Sequence, residues 1–93
     1  MICKEKYFSN HSVKQMFSRS ILKTEAGEVI VKGEIIKEYI DDKPYPSYLL
    51  LGIVNGKPLH VLIAKDEFGN CIIITVYKPN AGIWHTDFKT KIK

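Results

Sequence analysis

The chain has 93 residues, 45% of them hydrophobic and 26% charged, with a formal net charge of +4. That is enough for one buried core and too little for two, and it excludes a disordered or low-complexity protein, so residues 1–93 read as a single domain. Thirteen of the fourteen basic residues are lysines, a balance that suits a polyanionic partner without specifying one.

Met1–Phe8 is charged, with Ile2, Tyr7 and Phe8 as its apolar residues. It reads as a lead-in or a short edge strand, and it lacks the apolar centre of a signal peptide. Ser9 or Asn10 is a candidate N-cap for a helix over His11–Arg19. Val13, Met16, Phe17 and Ser20 fall at the spacing of one helix face. His11, Gln15 and Arg19, one turn apart, form a polar stripe beside it. Thr24 is a second N-cap candidate, for a helix over Ala26–Lys32 that stops at Gly33.

Four strands follow. Glu34–Ile40 alternates only in part, as at a sheet edge, and Asp41–Ser47 is a loop with two prolines. Tyr48–Val54 runs into Asn55-Gly56, a strong signal for a two-residue hairpin. Pro58–Lys65 is joined by the Asp66–Asn70 turn to a strand from Cys71, which Pro79–Gly82 ends. On that last strand Thr75 and Tyr77 share one face, and Ile74 and Val76 the other. The tail from Ile83 to Lys93 is expected to end in a mobile segment. The fold class is therefore α+β: two N-terminal helices packed on a curved antiparallel four-stranded meander.

Cys3 and Cys71 have neither metal-ligand spacing nor a disulfide framework, and read as one exposed and one buried thiol in a reducing cytoplasm. His11, His60 and His85 show no local ligand spacing, so we expect no metal and no cofactor. No run reaches the ~18 apolar residues of a membrane span. What remains is a constellation for general acid–base chemistry. Cleavage of RNA requires a base for the 2′-hydroxyl, a cation for the charged phosphorane and an acid for the leaving oxygen. Histidine suits the first and last roles and arginine the second. His11, His60 and Tyr77 are the candidate catalytic residues, with Arg19, Gln15 and Thr75 as substrate-binding residues.

The segments His11–Ile21, Gly33–Ile36, Tyr45-Pro46, Leu51-Gly52, Pro58–Val61 and Ile74–Pro79, followed by Trp84, together resemble one family. It is the domain-of-unknown-function family numbered 4258, grouped with the RelE-like toxins of the barnase/EndoU/colicin/RelE nuclease superfamily. The resemblance runs from about Ser9 to Trp84. It implies a RelE-like fold and a ribonuclease of a toxin–antitoxin module, acting on RNA, ribosome-bound mRNA included, with a small antitoxin as protein partner. By motif position the family's helix-one histidine and arginine fall on His11 and Arg19. Its strand-three histidine falls on His60, and its strand-four Thr-x-Tyr on Thr75 and Tyr77. The alternative is a non-catalytic binding or interaction domain on the same fold, in which His60 is a satisfied core residue.

Overall fold

Asn55 and Gly56 both have positive φ, 52° and 76°, and so close the tight hairpin at the centre of the fold. The computed structural model describes residues 1–92. The elements are β1 (Lys6–Phe8), α1 (Asn10–Ser18), α2 (Lys23–Lys32), β2 (Glu34–Tyr39), β3 (Ser47–Val54), β4 (Lys57–Lys65) and β5 (Cys71–Tyr77). β2 to β5 form the expected antiparallel meander.

The sheet nonetheless has five strands, in the order β1-β5-β4-β3-β2, and is mixed rather than wholly antiparallel. β1 pairs in parallel with β5, Lys6 opposite Cys71 and Phe8 opposite Ile73. Three residues are too few to show an alternating pattern. The same pairing corrects the reading of two separate thiols. It brings Cys3 and Cys71, 68 residues apart, into a disulfide with Cα atoms at 5.5 Å.

Both helices cover one face of the sheet, α1 over β5 and α2 over β3 and β4. α2 starts before the expected Ala26, and its first turn is capped by Glu25, whose Oε1 accepts the Leu22 N–H at 2.8 Å. Ala26, Val29 and Ile30 pack inward at helical spacing. Gly33 ends α2 for a reason other than positive φ. A Cβ there would collide with the Val29 carbonyl oxygen and lie 2.9 Å from that of Leu51. The core beneath the helices comprises Met16, Ile30, Leu50, Val61, Ile63, Ile73 and Val76, among others.

α1 is turned differently from its apolar spacing. Met16 and Ser12 are buried, whereas Phe17 is 89% exposed, and Ser20 lies beyond the helix end. Ser12 is accommodated because its hydroxyl donates to the Ser9 carbonyl at 2.8 Å. The expected mobile end of the tail, at position 93, lies outside the described residues. Ile83 to Ile92 fold back as a small hairpin, with Trp84 bridging Lys91 and the Ile92 N–H donating to Ile83 at 2.8 Å. The ion pair of Lys89 with Glu34, at 2.9 Å, ties this hairpin to β2.

Candidate functional site

β5 is longer than its edge partner. β1 covers only Cys71 to Ile73, which leaves the backbone of Ile74 to Tyr77 as an open sheet edge. Polar side chains of α1 and its cap close it. The Ser9 hydroxyl donates to the Ile74 carbonyl at 3.2 Å. Gln15 Oε1 accepts from the Thr75 hydroxyl and, at 3.4 Å, from the Val76 N–H. Arg19 Nη1 donates to the Val76 carbonyl at 3.1 Å. These bonds set the rotation of α1. They also leave most of the five N–H donors of the Arg19 guanidinium for another acceptor.

A bulge in β5 positions the next groups. Leu62 pairs with Thr75 but Ile63 with Ile73, so Ile74 is an extra residue. Thr75 and Tyr77 then lie opposite Leu62 and His60, on the face away from the helices, while Val76 enters the helix-side core. Ile74 does not share that face with Val76, as strict alternation predicts. It lines a separate hollow with Ile72.

Gln15, Arg19, Thr75 and Tyr77 converge on one cleft of about 460 Å³, completed by Lys78, Asn80, Ile83 and Trp84. Four of the six residues singled out in the sequence therefore meet. His60 lies directly behind the cleft and is completely buried. Its ring is edge-on to Tyr77 at 5.1 Å and to Trp84 at 4.6 Å between centroids. Its Nε2 is 2.7 Å from the Phe88 carbonyl oxygen, which can only accept, so Nε2 carries the proton. In the neutral ring Nδ1 is then the acceptor, and it takes the Tyr77 hydroxyl at 3.0 Å. Burial lowers the His60 pKa from its ordinary value, and the Phe88 carbonyl only partly opposes this. Burial likewise raises that of Tyr77, and the Tyr39 phenol adds to the rise. The resting pair is a neutral imidazole holding a neutral phenol.

His11 stands apart. It is exposed on the first turn of α1 and is not among the cleft's lining residues. Among the described residues no group of three or more His, Cys, Asp or Glu side chains gathers as metal ligands would. The sequence reading missed Lys78, Asn80 and Ile83 as wall residues and Trp84 as the cover. The available signal was the chain's single tryptophan standing in a polar tail, since a side chain that large is usually buried on average.

No curated protein and no solved structure matches the chain. The family model described as Domain of unknown function (DUF4258) matches residues 8–78.

Proposed function

The chain belongs to that family of unknown function, and from the cleft we propose that it is an RNA-binding protein and a metal-independent ribonuclease of toxin type. One observation carries the reading: Arg19, Lys78, Gln15 and Thr75 meet the phenol of Tyr77 under Trp84 in a single cleft. Two cations and a hydroxyl suit a phosphodiester, and two aromatic rings suit the sugar and base beside it. In the reaction we infer, the 2′-hydroxyl proton passes to Tyr77 Oη as the phenol proton passes to His60 Nδ1. The 2′-oxygen bonds to phosphorus and the bond to the 5′-oxygen breaks. Lys78 protonates that departing oxygen, Arg19 stabilises the charged phosphorane, and the product is a 2′,3′-cyclic phosphate. Arg19 and Lys78 meet substrate beside the proton acceptor, Tyr77. His60 acts behind it, and His11 has no part in this scheme.

A partner that neutralises such a protein covers the cleft, and acidic side chains suit Arg19 and Lys78. The Cys3–Cys71 bond supports a protein that folds under oxidising conditions, and so an exported one rather than the cytoplasmic one anticipated from the sequence. The second reading, a non-catalytic interaction domain, draws on the burial of His60 and the engagement of both its ring nitrogens.

Incubation of purified protein with single-stranded RNA in the presence of a chelator separates the two. The ribonuclease reading expects fragments ending in a cyclic phosphate and a loss of about 100-fold in rate for Arg19→Ala. RNA left intact, with and without ribosomes, rejects it in favour of the interaction domain.

A further inference from the structure

The bulge in β5 has a second effect, on the residues before it. Ile72 and Ile74 are half-buried on the face away from the helices. They line a mainly apolar hollow of about 290 Å³ with Ala64, Pro44 and Tyr45, rimmed by Asp42, Lys43 and Ser47, near the lower limit of small-molecule pockets, roughly 300 Å³. The loop that brings Tyr45 there is tied down at its base, where the buried Ser47 hydroxyl donates to the Asp42 carboxylate. Thr75 and Tyr77, next along the same strand, line the cationic cleft. The two hollows thus succeed one another along β5, their β5 residues on the order of 10 Å apart at about 3.3 Å per residue. One holds two cations and hydrogen-bonding groups beside Tyr77 and Trp84; the other has a mainly apolar surface with Tyr45 as its one aromatic residue.

A single-stranded nucleic acid has the same alternation, a charged phosphate followed by a flat, uncharged base. We propose that the hollow formed by Tyr45, Ile72 and Ile74 is a base-binding subsite for the RNA strand held in the cleft, an inference that rests on the RNA reading above. The base lies against the Tyr45 ring and the two isoleucines, and the adjoining phosphate reaches Arg19 and Lys78. Contact through a stacked face and apolar side chains makes the subsite tolerant of base identity. An unpaired strand is required, because a base within a duplex cannot reach the hollow.

The test is binding of a short 2′-O-methyl oligoribonucleotide, which this mechanism cannot cleave, and of the same backbone without bases, measured by fluorescence anisotropy. Tyr45→Ala is expected to weaken the base-bearing ligand about tenfold and to leave the abasic one unchanged. Tyr45→Phe keeps full affinity, and Ile72→Ala weakens only the base-bearing ligand, which covers the case in which Tyr45→Ala disturbs its loop. Arg19→Ala weakens both ligands alike. If Arg19→Ala weakens binding while Tyr45→Ala and Ile72→Ala do not, the base subsite is wrong and the RNA reading stands. If the wild-type protein binds neither ligand, both are wrong.

Discussion

The two faces of the sheet are closed by different means. On the helix side, Ile30, Leu50, Val61, Ile63, Ile73 and Val76 form a dry apolar core, and the bonded Cys71 belongs to it. On the other side, a short hairpin lays Trp84 over His60, and the contact is completed by two hydrogen bonds to the imidazole. Apolar burial on the first face holds the whole chain together. The second face is closed by a short terminal hairpin held through polar bonds, so it can open locally while the core stays folded. The cleft lies on the edge of this less strongly held face, as binding surfaces commonly do.

Loss of the disulfide is the strongest way to break this contrast. Cys3→Ser frees the N-terminal segment from β5 and is expected to cost about 4 kcal/mol, given the 68-residue separation. Urea unfolding of the variant, or of wild type with reductant, measures it. Trp84→Ala comes next. It is expected to lower global stability by about 2 kcal/mol, less than the same truncation in a rigid core, because the hairpin opens without unfolding the sheet. Hydrogen exchange should then show deprotection confined to residues 83–92, with β3 and β4 unchanged.

A pH series sharpens the comparison further. His60 has a folded pKa lowered from its ordinary 6.5, so the unfolded chain binds the proton more readily. The stability held above pH 6.5 is lost as pH falls from there through the lower folded value. His60→Gln should flatten the fall in melting temperature as the pH drops below 6.5. The smallest effect belongs to the hairpin's outer tie. Lys89→Ala removes a half-exposed ion pair with Glu34 and is expected to cost less than about 1 kcal/mol, vanishing at high salt.

The meander was legible because apolar runs, Asn55-Gly56 and the Asp66–Asn70 turn mark their own boundaries. Asp66 Oδ1 accepts the N–H groups of Phe68 and Asn70, both at 2.9 Å, which fixes the second turn locally. The features that were misread depend on partners distant in sequence. β1 becomes a strand only beside β5, and Cys3 meets Cys71 only through that pairing. α1 follows the polar anchors Gln15 and Arg19 rather than its apolar spacing, which leaves Phe17 in solvent. Residue type alone marked Gln15, Arg19, Thr75 and Tyr77, and the fold does bring them to one cleft. It could not show that Trp84 seals His60, which follows from the fold-back of the tail, or that His11 lies outside, which follows from the rotation of α1.

The most direct test of the central claim compares cleavage of one RNA oligonucleotide by Tyr77→Phe and by His11→Ala, each checked for native melting. A Tyr77-centred cleft predicts a drop of about 100-fold for Tyr77→Phe and near wild-type rates for His11→Ala. Full activity in Tyr77→Phe together with its loss in His11→Ala would contradict it.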